Sequence, residues 1–140
     1  MQQTLAILKP DSVAAGNAGK VLAHLEAQGF RIRGLRTLHL TTTQAEAFYA
    51  VHRERPFFAS LVTFMTEGPV IPVALERDDA VAHLREAMGA TDVAKAAAGT
   101  IRNLYGTSIE RNAIHGSDSA ENAALELAFF FSRTELLAAR

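Results

Sequence analysis

The run VLAHLEAQGFRIRGLRTLHL, residues 21–40, holds the change of period on which the fold turns. Its first half carries Val21, Leu22 and Leu25 at helical spacing, and Gly29 is placed to end that helix. From Phe30 the pattern alternates. Phe30, Ile32, Leu38 and Leu40 share one phase, and Arg31, Arg33, Thr37 and His39 share the other. Leu35 breaks the alternation beside Gly34, where a bulge is expected. Toward the N-terminus, residues 4–8 form a short apolar run closed by Lys9-Pro10 and read as a buried strand.

Toward the C-terminus, Thr43-Gln44-Ala45-Glu46 has the pattern of a capping box opening a helix toward His52, with Pro56 ending it. Residues 58–67 are a second helical piece, stopped at Gly68-Pro69. Residues 70–76 read as a strand, which Pro72 demotes toward an edge or a bulge. Asp78-Asp79 precede Val81, Leu84 and Met88 at helical spacing, with Gly89 as the stop. Residues 90–118 lack clean periodicity. Asp118 or Ser119 starts a helix through Leu127, and Phe129-Phe130-Phe131 reads as a final buried strand. Two βαβ-like halves joined by a hairpin-type connection predict an α+β sandwich of ferredoxin-like βαββαβ type: a four-stranded antiparallel sheet with helices packed on it. With no linker, repeat or low-complexity tract, residues 1–140 read as one domain.

Composition narrows the function classes. Lys and Arg total 14 and Asp and Glu total 15, for a net charge of −1. That balance argues against a dedicated nucleic-acid binder. Arg outnumbers Lys, which suits bidentate contact with phosphate or carboxylate. There is no Cys, so disulfides, thiolate zinc sites and a Cys nucleophile are excluded. No apolar run approaches the roughly 20 residues of a membrane span, and no secretory signal is visible. The expectation is a cytoplasmic protein without membrane attachment.

Gly16-Asn17-Ala18-Gly19-Lys20 suggests a phosphate-binding P-loop, but Ala14 stands where the first glycine belongs and Val21 where Ser or Thr would bind magnesium. The stretch reads as a turn before a helix. His24, His39, His52 and His83 read as surface or half-buried residues, and no pair has zinc-site spacing. His115 differs. It lies in the long irregular segment beside Gly116, among Asn112, Ser117 and Asp118. A neutral imidazole is a good nucleophile toward phosphorus, and at a pKa of about 6.5 most of it is neutral at pH 7. The competing reading is a loop histidine beside the helix start at Asp118. Gly99-Thr100-Ile101-Arg102 reads as a phosphate-binding turn or an ordinary one, and Phe57, next to Pro56, as a core aromatic or a stacking surface.

Taken together these segments resemble the nucleoside diphosphate kinase family over essentially the whole chain, in the manner of its short bacterial-type members. The strongest match is N-A-I-H-G-S-D-S, residues 112–119. Lys9-Pro10-Asp11, Arg55-Pro56-Phe57-Phe58, Gly68-Pro69-Val70 and Gly99-Thr100-Ile101-Arg102 follow the family's order.

The resemblance implies transfer of a γ-phosphoryl group from a nucleoside triphosphate to a nucleoside diphosphate, by a ping-pong mechanism through phosphohistidine on His115. Glu126 would fix the imidazole's tautomer and Ser117 would support that carboxylate. Lys9, Tyr49, Arg85, Thr91, Arg102 and Asn112 would line the phosphate and ribose site. Phe57 would stack on the base, with Leu61 and Ile109 completing the slot. Magnesium would arrive on the nucleotide's phosphates, with no protein metal cage. A tetramer or hexamer built from dimers is implied as well. Asp92-Val93 and Ala98 stand where many members have Asn-Pro and Pro, and Ser12 replaces a usual Gly or Ala. The rivals are a silent ferredoxin-like module, which requires lost catalytic positions, and a phosphohistidine carrier, which requires no nucleotide slot.

Overall fold

The computed structural model describes residues 1–137. Four strands, β1 (Gln2–Leu8), β2 (Arg31–Leu35), β3 (Ile71–Arg77) and β4 (Ile114–Gly116), form one sheet in the order β2-β3-β1-β4. Every pairing is antiparallel. The helices are α1 (Pro10–Ala14), α2 (Ala18–Ala27), α3 (Thr42–Phe48), α4 (Phe58–Met65), α5 (Ala80–Met88), α6 (Ile101–Tyr105), α7 (Ala120–Phe130) and α8 (Arg133–Leu136). This is the expected ferredoxin-like architecture, with helices on both faces. None of the described helices is long and apolar enough to cross a membrane.

β1 reads as a continuous apolar run because both its faces are covered. Ala6 and Leu8 join Val21, Leu25, Leu84, Met88 and Ile101 on one face, under α2, α5 and α6. Leu5 and Ile7 join Tyr49, Leu61, Phe64, Met65 and Leu127 on the other, under α3, α4 and α7.

Several expectations are corrected. The bulge at Gly34 is present, since the register shifts between Ile32 and Gly34. It also inverts the phase, because a one-residue slip sends following side chains to the opposite face. Phe30 and Ile32 therefore pack on the α2 side, whereas Leu38 and Leu40 pack on the other. β2 ends at Leu35, and His39 lies outside it. Pro72 is in the inner strand β3, not at an edge. Its carbonyl accepts the Arg36 N–H at 3.1 Å, so its nitrogen faces the same side, past the end of β2, and no bond to β1 is lost. The capping box belongs to Thr41 and Gln44, not Thr43 and Glu46. Thr41 and Thr43 offer the same signature, with Gln44 and Glu46 three residues on.

The largest correction concerns the fourth strand. Phe129 and Phe130 close α7, and Phe131 follows as its C-cap. The rings of Phe129 and Phe130 pack on Phe48 at 5.3 and 5.2 Å, and Phe131 covers Gly34, where an added Cβ would lie 2.9 Å from its ring. Aromatic strand propensity yields to helical packing. The fourth strand is instead β4, at an edge of the sheet and inside the segment expected to be irregular. Three residues are too few to display a period.

Candidate active site

The alternation of β4 decides which way its histidine faces. Ile114 is buried under α5 and α6, and Gly116 touches Met88 and Leu84 closely enough that a Cβ would lie 2.4 Å from the Met88 sulfur. His115, between them, points to the opposite face, toward α7. Its Nε2 lies 2.7 Å from Glu126 Oε1, and the Ser117 hydroxyl donates to the same oxygen at 2.8 Å. α7 begins where it does because the Ser119 hydroxyl accepts the Asn122 N–H at 3.0 Å. A carboxylate only accepts, so Nε2 carries the proton and Nδ1 keeps its lone pair. Burial lowers the His115 pKa, while Glu126 partly opposes the shift. The ring is thus neutral at neutral pH, and 19 % of the side chain remains exposed.

Phe48 and Tyr49 stand edge-on to the imidazole, with ring centroids at 5.4 and 6.0 Å. The Tyr49 hydroxyl is buried and makes no hydrogen bond among the described residues. Burial raises its pKa, so it stays a neutral hydroxyl.

Positive charge gathers beside the ring. Lys9, just past β1, donates from Nζ to Asn112 Oδ1 at 2.7 Å. Asn112 is itself oriented by donating to the Ile109 and Thr91 carbonyls at 2.9 and 3.2 Å. Arg102, on α6, donates to Ile114 O at 2.8 Å and Gly89 O at 3.2 Å, leaving Nε buried and without a partner among the described residues. Arg85, on α5, reaches Gly116 O at 3.4 Å. Burial, reinforced by Arg102, lowers Lys9 to about 8. Burial, reinforced by Arg85, lowers Arg102 to about 10. Crowded cations that depress one another suit a polyanionic ligand, which would relieve the repulsion and accept charge-assisted hydrogen bonds.

One cavity of about 700 Å³ brings together Lys9, Tyr49, Phe57, Leu61, Arg85, Thr91, Arg102, Ile109, Asn112, His115 and Glu126. Ser117, fully buried, reaches it only through Glu126. Phe57 and Ile109 are 46 % and 63 % exposed. The Ser60 hydroxyl, on α4, donates to the Glu110 carboxylate at 2.9 Å and ties that helix to the loop bearing Ile109.

The sequence model of the nucleoside diphosphate kinase family matches residues 2–136. The chain belongs to the nucleoside diphosphate kinase family. The nucleoside diphosphate kinase of Geotalea daltonii is 56 % identical over 137 residues, covering 98 % of this chain and 100 % of that protein. That of Chlamydia felis is 54 % identical, covering 98 % and 97 %. A crystal form of the Aquifex aeolicus enzyme superposes with a TM-score of 0.93 at 45 % identity, covering 97 % of this chain and 99 % of that one. The Halobacterium salinarum enzyme in complex with CDP also gives 0.93, at 38 % identity, covering 99 % and 93 %. Membership makes the protein a phosphotransferase acting between nucleoside tri- and diphosphates.

Sequence reasoning missed other residues of the cavity wall, among them Phe48, His52, Asn122 and Phe129. His52, expected to be a surface or half-buried residue, is half-buried with its ring 5.4 Å from Phe57. Its i, i+3 spacing from Tyr49 was the available signal. Asn122 and Phe129 lie four residues before and three after Glu126 along α7, so naming Glu126 should have drawn both in.

Proposed function

We propose that this protein transfers the γ-phosphoryl group of a nucleoside triphosphate to a nucleoside diphosphate in two half-reactions, through a phosphohistidine on His115. The observation that carries the reading is the Nε2–Glu126 contact of 2.7 Å, which fixes the tautomer with its lone pair on Nδ1. That lone pair attacks the γ-phosphorus. The bond from phosphorus to the bridging oxygen breaks, and the diphosphate leaves with the electron pair. A second diphosphate then attacks the phosphohistidine through a β-phosphate oxygen. The N–P bond breaks and its electrons return to Nδ1, leaving the enzyme as it began.

Phosphoryl transfer asks a protein chiefly for positioning and charge stabilisation. Lys9, Arg85 and Arg102 would hold phosphate oxygens, with Thr91, Asn112 and the unpartnered Tyr49 hydroxyl as neutral donors. Glu126 would support the positive charge that develops on the imidazole, and Ser117 would hold Glu126. Phe57, with Leu61 and Ile109, would receive the base. Stacking uses a π-face that every base has, which fits broad nucleotide tolerance, and CDP in the Halobacterium salinarum relative is consistent with a nucleoside diphosphate seat here. Magnesium would enter as part of the nucleotide substrate, because a donor set of Lys9, Arg85 and Arg102 suits phosphate oxygens rather than a metal ion. Work in the cytoplasm on nucleotide pools, by a tetramer or hexamer built from dimers, completes the reading.

The test is a two-step label transfer. Protein incubated with γ-labelled ATP and magnesium takes up acid-labile label, and a GDP chase moves it to GTP. His115→Ala abolishes both steps. Label that stays on the protein during the chase points to a carrier, and wild-type labelling of the alanine variant overturns the assignment of His115.

A further inference from the structure

Two residues before His115 the backbone takes a conformation that side chains disfavour. Ala113 is fully buried with φ at +75°. The Ile114 N–H donates back to Asn112 O at 2.9 Å, closing a three-residue turn around it. Turns of this hand are rare and strained for a residue with a Cβ, and they persist where the surroundings over-determine them.

Here the surroundings are the first turn of α1, about a hundred residues away in sequence. The Ala113 N–H donates to Asp11 Oδ2 at 3.1 Å. The Ala113 carbonyl accepts from the Ser12 hydroxyl at 2.8 Å and from the Lys9 N–H at 3.0 Å. Both backbone polar groups of one strained residue are thus gripped by Lys9, Asp11 and Ser12, within a stretch of four residues. The turn lies between Asn112, which binds Lys9 Nζ, and Ile114, whose carbonyl accepts from Arg102. A change at Ala113 would rotate β4 and shift His115 relative to Glu126 and the cations together. Ser12 stands where the family usually has Gly or Ala, neither of which supplies a hydroxyl.

We propose that Asp11 and Ser12 are positioning residues, which lock the Ala113 turn from the start of α1 and so set the attack geometry of His115. This rests on the phosphohistidine reading. Asp11 touches no reacting atom. Its carboxylate also supports the charge of Lys9, so its hydrogen bond and its charge have to be separated.

Asp11→Ala removes both. Asp11→Asn keeps an oxygen acceptor for the Ala113 N–H but removes the charge. Single-turnover phosphorylation at saturating magnesium–ATP gives the rate, and calorimetric ADP binding gives Kd. Displacement of a reacting group by an ångström costs up to about 100-fold. The expected result for Asp11→Ala is a ten- to hundred-fold slower phosphorylation with Kd changed less than about two-fold. Asp11→Asn restores most of the rate. In the Ala113→Gly background, where the left-handed turn carries no Cβ penalty, the Asp11→Ala effect shrinks several-fold. Ser12→Ala runs the same test independently, with a smaller slowing at unchanged Kd, and decides the matter if Asp11→Ala does not fold. A folded wild type that takes no label overturns the phosphohistidine reading itself. A labelled wild type whose Ser12→Ala and Asp11→Ala variants keep its rate overturns the positioning role alone. So does an Asp11→Asn variant as slow as Asp11→Ala, which would assign the effect to charge at Lys9.

Discussion

His115 has Nε2 held by Glu126, with Nδ1 as the proposed attacking atom, and its behaviour with pH follows from the ring's burial. Its pKa lies below the ordinary value in the folded protein, so the unfolded chain takes up a proton first as pH falls through about 6.5. The stability linked to this group is complete above that pH and is lost below it. NMR titration of the imidazole should show it ionising below 6.5, and thermal unfolding at pH 5.5 should show a loss that His115→Gln reduces. Glu126→Gln offers Nε2 either an acceptor or a donor, so part of the population holds the proton on Nδ1. Phosphorylation should slow by on the order of 10–100-fold, the scale of a misoriented reacting group, and a rate equal to wild type would remove Glu126 from the site. At the exposed rim, Phe57→Ala should weaken nucleotide binding by about 1–3 kcal/mol. Calorimetry with GDP and dCDP should show similar losses, and a loss confined to GDP would point to a specific guanine pocket.

Among the elements, the loop between α5 and α6 offers a clean test, because Asp92, Val93 and Ala98 do not line the cavity. The Thr100 N–H donates to Ala97 O at 3.2 Å, and Gly99 has φ at +85°. Those features make Ala98 the second residue of a type II turn, a position that favours proline. Ala98 is exposed, and nothing accepts its N–H among the described residues. Ala98→Pro should add about 0.4–1 kcal/mol and raise Tm by about 1–4 °C, with the exchange rate unchanged. A lower Tm would mean that the turn needs an alanine backbone. Long periodic elements were legible in sequence for physical reasons. α2 and α5 each bury one stripe, and β1 is apolar throughout because both its faces are covered. β4 was hidden because its strand character comes from pairing with residues 6–8, far away in the chain. The Phe129–Phe131 run misled because helix and strand both accept buried aromatics, and only the packing against Phe48 and Gly34 selects one. The cavity brings together Lys9, Phe57, Arg102, Asn112 and His115 from the quoted motifs with Arg85 and Glu126, which the family resemblance named on helices; His52 and Asn122, which reach it through helical geometry, had neither signal to mark them.

For the whole molecule, a net charge of −1 hides an uneven distribution, with Lys9, Arg85 and Arg102 meeting in one cavity. Field lines focus in such a cleft and are weakened by salt. KM for nucleotide should rise severalfold between about 0.05 and 0.5 M salt while kcat holds, as steady-state rates across that range will show. A flat KM would mean that the cations act only after contact. The sheet order carries a further consequence, for the chain as it is made. β1 leaves the ribosome before the other three strands of its sheet, yet one of its two partners is residues 114–116. At roughly 5–20 residues per second, its inner edge waits about 5–20 s for that partner. During that time an apolar strand presents unpaired backbone groups, the feature that promotes association between chains. The segment that closes this edge also carries the histidine proposed above as the nucleophile. On that reading a nascent chain stays inactive, and in need of protection, until the segment that covers β1 supplies His115.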